Sequence, residues 1–111
     1  MLSKKYLIRD KKIFNALKHK GRRIKLPCFL ISFLANRSAR HNCLGIIISQ
    51  KRIAQAVRRN QIRRRIKAIF SLFKQEPKTG FGFLNLIVVV LKEPSQKDYA
   101  QLNIFFKKFF V

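Results

Sequence analysis

The sequence predicts an α+β sandwich: a single domain over residues 1–111, with one mostly antiparallel sheet and helices packed on it. Three observations predict it. Apolar residues make up 48% of the 111, including eleven Phe, which is enough for a real core and far more than a disordered polycation carries. Short runs rich in β-branched and aromatic residues alternate with longer stretches at helical spacing. No repeat, low-complexity stretch or linker divides the chain.

The elements follow in order. The Lys-rich start reads as frayed. A short helix runs from Asp10 to about Lys20: Asp10 is an N-cap, Ile13, Phe14 and Leu17 share a face, and Gly21 suits the position just past the end. Arg22 to Lys25 adds an optional short strand. Phe29 to Leu34 and Cys43 to Ser49 read as strands, and the polar stretch from Asn36 to Asn42 between them reads as a turn, so the two suggest a hairpin. From Ile53 to Lys74 there is no Gly or Pro, which predicts the long helix. Pro77, Gly80 and Gly82 mark a loop. The run Leu84 to Leu91 is nearly all apolar, as a central strand buried on both faces would be. Pro94 and Ser95 open a last helix through about Phe109, with Leu102, Phe105, Phe106 and Phe109 on its inner side. The order is α-β-β-(β)-α-β-α.

Charge decides the class of partner. Lys and Arg number 26 against four acids, a net +22, and they run through the whole chain. A folded body so charged repels itself and wants a polyanion. The opening residues contain no apolar segment of a secretory signal, and no apolar stretch approaches the roughly 20 residues that span a bilayer, so the expected location is cytoplasmic. Cys28 and Cys43 set no disulfide framework and read as small buried thiols.

On a helical wheel with Arg59 at zero, Arg59, Asn60, Arg63, Arg64 and Lys67 fall between 0° and about 140°. Ile62, Ile66, Ile69 and Phe73 fall between about 280° and 340°, and Arg58 and Arg65 lie on the far flank of that apolar stripe. Five of the eight residues from Arg58 to Arg65 are Arg, with no acid nearby in the sequence to pair them. A merely solvated helix would mix signs. Guanidinium forks grip phosphate and stack on bases, and Asn60 both donates and accepts.

Other chemistry finds no support. His19, Cys28, His41 and Cys43 match no zinc spacing, and no metal site is expected on protein ligands. Asp10, Glu76, Glu93 and Asp98 are scattered and form no catalytic pair. No nucleophile-and-base motif or Gly-rich phosphate loop is present, so no protein catalytic residue is expected. Phe14 and Phe29 suit either the core or a groove where bases stack.

The stretch Gly45 to Lys67, GIIISQKRIAQAVRRNQIRRRIK, resembles the bacterial ribonuclease P protein subunit. A strand ends in Ser49, and Lys51 and Arg52 follow. After a turn come Ala56-Val57, Arg59-Asn60, Ile62, Arg63, Arg64 and Lys67 at helical spacing. Weaker colinear resemblance covers the helix with Phe14 and the strand with Phe29. Ala54 stands where the family usually has Gly, and Lys18 and Ser32 stand where aromatic or apolar residues are common. The resemblance implies a left-handed β-α-β crossover and a non-catalytic subunit of a tRNA-processing endoribonuclease. It implies RNA binding through Lys51, Arg52, Arg59, Asn60, Arg63, Arg64 and Lys67. It also implies a cleft for the 5′ leader of precursor tRNA, carrying Phe14, Lys18, Phe29 and Ser32. Catalysis then belongs to an RNA partner, with Mg²⁺ held mainly by RNA, and neither a membrane nor an obligate protein partner is implied. A small ribosomal protein is the alternative, but it has no reason to show the Arg59-Asn60 pattern in this strand–turn–helix setting. A membrane-active cationic protein would want one large amphipathic helix. A major-groove reader would vary its polar contacts rather than repeat Arg.

Overall fold

Alternation along the strands builds this molecule, because it assigns neighbouring side chains to opposite faces of one sheet. The computed structural model describes residues 2–78 and 80–110. After a 3₁₀ turn at Lys4–Tyr6 come α1 (Lys11–Lys20), β1 (Arg22–Lys25), β2 (Phe29–Ala35) and β3 (Cys43–Ile48). Then follow α2 (Ala56–Ser71), β4 (Leu84–Val90) and α3 (Gln96–Phe110). The strand order is β1-β2-β4-β3, with β1–β2 and β2–β4 antiparallel and β3–β4 parallel.

That order corrects the expected hairpin. β2 and β3 do not pair; β4 lies between them and bonds to both. The reason is the apolar run of β4, which is stable only with strands on both edges and cover on both faces. The connection over residues 36–42 therefore has to straddle the start of β4. Asn36 donates its N–H to the Phe83 carbonyl, and the Asn42 N–H reaches the Lys74 carbonyl at 2.7 Å. The fully buried Asn42 side chain donates to the carbonyls of Phe73 (2.7 Å) and Glu76 (2.8 Å) and accepts the Leu84 N–H at 2.9 Å. One amide thus ties the end of the α2 region to the first residue of β4. Nothing in the polar stretch from Asn36 to Asn42 distinguishes that residue from its neighbours.

The two faces differ. Phe29, Ile31 and Phe33 of β2 join Leu44 and Ile48 of β3 and Leu84, Leu86, Val88 and Val90 of β4. They pack with Ile62, Ile66 and Phe70 of α2 and with Tyr99, Leu102, Phe106, Phe109 and Phe110 of α3. On the other face Leu34, Cys43, Ile47, Ile87 and Val89 form a smaller cluster with Ile13, Phe14 and Leu17 of α1. Gly45 lets α1 come close, since a Cβ there would stand 2.9 Å from the Phe14 ring.

Element ends show local chemistry. Asp10 caps α1 as expected, accepting the Lys12 N–H at 2.9 Å. Gly21 ends that helix in extended backbone (φ −72°, ψ 152°), not in the left-handed cap that the sequence suggests. Glycine is still needed, because a Cβ would lie 2.5 Å from the Leu17 carbonyl oxygen. At the start of α3, the Asp98 carboxylate accepts the Ser95 N–H (2.8 Å) and hydroxyl (2.9 Å), and the Ser95 hydroxyl accepts the Asp98 N–H: a capping box. These bonds, the Ser95 N–H first, hold the Asp98 carboxyl below its usual range. Nor is the start frayed from residue 2 onward. Leu2, Tyr6 and Ile8 are buried, and the Ile8 N–H bonds to the Leu44 carbonyl.

Candidate nucleic-acid interface

The long helix is shorter than its Gly- and Pro-free stretch. At its front the Ile53 N–H turns back to the Ser49 carbonyl, and at its rear tight bonds at Phe73 and Glu76 end the regular spiral. The turn at Ala54 needs no glycine, because no non-Gly residue among those described has positive φ. The buried seam is Ile62, Ile66 and Phe70, continued by Phe73 beyond the helix. Phe70, absent from the apolar stripe read on the wheel, lies near 20°, between Arg59 and Arg63. The seam is therefore rotated toward the cations, and Arg59, Arg63 and Lys67 are half-buried while Asn60 and Arg64 are exposed.

The predicted cations do not share one state. Arg59 donates to the Ile53 and Ala54 carbonyls at 2.9 and 2.7 Å, clamping the turn that leads into its own helix. Arg52 donates to the Leu91 carbonyl at 2.7 Å, fastening that turn to the end of β4. Arg63 donates to the Asn60 side-chain oxygen at 3.3 Å. Among the described residues, the side chains of Lys51, Arg64 and Lys67 make no hydrogen bond or ion pair. Arg63 and Lys67 line a small cleft beside the β3 edge together with Arg9, Phe14 and Gly45. Arg9 escaped the sequence reading because it lies outside the helix and only the fold brings it there.

The far flank of α2 behaves differently. Arg58 pairs with Glu93, the one ion pair among the described residues, so the Arg run does have an acid, supplied from the segment before α3. The Arg65 guanidinium sits 4.6 Å from the centre of the Tyr99 ring. Burial pushes the Tyr99 phenol up, and it stays neutral over the ordinary pH range.

The four cleft residues separate. Lys18 and Ser32 line a groove of about 400 Å³ between α1 and the sheet, with Leu17, Leu30 and Ile87 at its base and Arg23 beside them. Phe14 packs under α1 in the smaller cluster. Phe29 is not in the cleft: it is 1% exposed on the opposite face, 6.2 Å from the Tyr99 ring. Strand alternation sends Leu30 and Ser32 one way and Phe29 the other. The His and Cys residues that the sequence leaves without a zinc spacing lie in different settings. Cys28 is buried, Cys43 lies 3.7 Å from His41 Nδ1, and no group of three His, Cys, Asp or Glu placed to hold a metal occurs among the described residues.

The ribonuclease P family model matches residues 2–111. The chain belongs to the ribonuclease P protein family. The ribonuclease P protein component of Staphylococcus epidermidis is 31% identical over 103 residues, covering 93% of this chain and 84% of that protein. That of a Synechocystis strain is 30% identical over 88 residues, covering 79% and 68%. A structure of the Staphylococcus aureus RNase P protein superposes with a TM-score of 0.77 at 24% identity, covering 96% of this chain and 98% of that one. The Thermotoga maritima RNase P protein gives 0.67 at 21% identity, covering 93% of each. As a ribonuclease P protein, the chain is a non-catalytic subunit of a ribonucleoprotein endoribonuclease. No helix among the described residues is long and apolar enough to cross a membrane.

Proposed function

We propose that this chain, as one domain, binds the catalytic RNA of ribonuclease P and the 5′ leader of precursor tRNA. It thereby assists RNA-catalysed, Mg-dependent removal of the leader. The observation that carries this reading is the row Arg63, Arg64 and Lys67 on α2, facing no acid, in a chain of the ribonuclease P family. Each Lys or Arg that neutralises a phosphate releases counterions, so this row grips the RNA backbone and screens RNA–RNA repulsion. Lys51, exposed in the turn before α2, adds a further cation. Arg52 and Arg59 act mainly as positioning residues, holding the turn so that the helix presents its cations at a fixed angle. In the groove under α1, Lys18, Ser32 and Arg23 present a cation, a hydroxyl and a second cation. Such a lining favours grip on the leader's backbone over stacking on its bases.

Among the described residues no group of acids is placed to hold Mg²⁺, and Glu76 stands exposed and apart from the other three. Asp10 caps α1, Glu93 pairs with Arg58, and Asp98 is held by Ser95. The metal belongs with RNA and substrate phosphates. The protein works in the cytoplasm and needs no obligate protein partner. The test is reconstitution with a cognate catalytic RNA across a Mg²⁺ series. The protein should lower the Mg²⁺ needed for 5′ cleavage of precursor tRNA, and alone should cleave none at any concentration. Specific cleavage by RNA-free protein, or a Mg²⁺ requirement untouched by its addition, would overturn the proposal.

A further inference from the structure

We infer that the groove between α2 and α3 is a second RNA-binding face. It takes a single-stranded segment by stacking a base on the Arg65 guanidinium and holding the flanking phosphates at Arg58 and Arg64. This rests on the reading above that the chain binds RNA, and adds a surface on the flank of α2 away from the β3 edge.

The groove encloses about 570 Å³, and Arg58, Gln61, Arg64, Arg65, Gln96 and Tyr99 line it. Its charge is three Arg against Glu93 alone. Tyr99 is 9% exposed whereas Arg65 is exposed, and the guanidinium carbon lies 4.6 Å from the ring centre, so the ring backs the guanidinium on one side and solvent reaches the rest of it. A guanidinium backed by a ring in this way is a prepared stacking platform. Little further freedom is lost when a base lands on its open face. Gln61 and Gln96 offer amides that donate and accept, suited to base edges, which unpaired nucleotides alone present freely.

The groove is also continuous with the other surface. Arg64 lines it on one side of the helix crest and, on the other, a groove of about 530 Å³ with Lys67, Ser71 and Lys74. A strand gripped by Lys67 and Arg64 can therefore cross the crest and continue toward Arg65 without leaving cationic surface. Glu93 tempers Arg58, since a phosphate there must compete with its carboxylate. Arg65 is accordingly the principal contact.

The simpler alternative is that Arg65 only packs α2 against α3 through its stem and charge. Replacement by Lys separates the two, because Lys keeps stem and charge but has no plane to stack. The full chain would be titrated with a single-stranded RNA of about 12 nucleotides, a length suited to one such surface, carrying 2-aminopurine. The Arg65 Nε–H resonance would be followed in labelled protein. The Arg65 resonance should move on saturation, and R65K should weaken binding about tenfold with the salt slope unchanged. An unmoved resonance, or R65K binding as tightly as the wild type, overturns the inference. Normal binding by R65K beside weakened binding by R63A removes this face and leaves the function standing. Wild-type protein with no affinity for RNA removes both.

Discussion

The two faces of the sheet come from the same strands yet have opposite characters. Under α2 and α3 the face is sealed by large side chains: Phe29, Phe70 and Phe106 are at most 1% exposed. Under α1 a ten-residue helix covers only part of the other face, and the remainder stays open as the groove beside Lys18 and Ser32. The difference teaches that helix length, not strand composition, sets which face is core and which is surface. Two long helices close one side. One short helix leaves the other accessible.

The sharpest way to break this comparison is to truncate adjacent residues of β2. Phe29→Ala should cost about 3–5 kcal/mol of stability, as removal of a buried Phe does, while Leu30→Ala, on the groove side, should cost about 1 kcal/mol. Denaturant melts of both variants measure it, and equal losses would mean the faces do not differ. Next in size is Asn42→Ala, which orphans the Phe73 and Glu76 carbonyls and the Leu84 N–H together. On the order of 3 kcal/mol should be lost, with Asn42→Asp recovering little, because a carboxylate cannot donate to the two carbonyls.

A smaller contrast lies within the basic row. Arg59→Ala releases two backbone carbonyls and should cost about 1–2 kcal/mol. Arg64→Ala should change stability by no more than about 0.5 kcal/mol, yet lower the salt slope of RNA binding by about one. Paired melts and salt titrations separate a positioning arginine from a binding one. Loss of stability from both variants would erase that division.

The smallest effect concerns pH. Burial pushes the Cys28 thiol up to about 11 from an ordinary 9.0, with the nearby Asp98 carboxylate adding to it. The folded state then keeps a proton that the unfolded chain releases, so this contribution is intact below pH 9.0 and fades as pH rises toward 11. Cys28→Ala should flatten that alkaline decline in a stability–pH series. An unchanged decline would assign it to other groups.

Much of this architecture was legible in the residues. Asp10, the Gly- and Pro-free stretch and the apolar run of β4 announced α1, α2 and the central strand. The Arg59-to-Lys67 pattern announced the cationic helix and the family. What stayed hidden depended on partners distant in the chain. The hairpin misreading arose because two suitable strands beside a polar turn look the same whether or not a third strand slots between them. Phe29 was misplaced because alternation gives two faces without naming them. Arg52 and Arg59 looked like binding cations, and Arg58 like an unpaired one on the far flank, until the fold supplied the Leu91 carbonyl, the carbonyls of residues 53 and 54, and Glu93.

The central position of β4 has a consequence for synthesis. β2 and β3 leave the ribosome before the strand that joins them, which follows only after the whole of α2. During that interval each presents an unpaired inner edge, the kind of template on which chains associate wrongly. The growing chain is also densely cationic, and mutual repulsion holds nascent copies apart while the slot is empty. The same lysines and arginines that seek RNA at maturity thus guard an unfinished sheet.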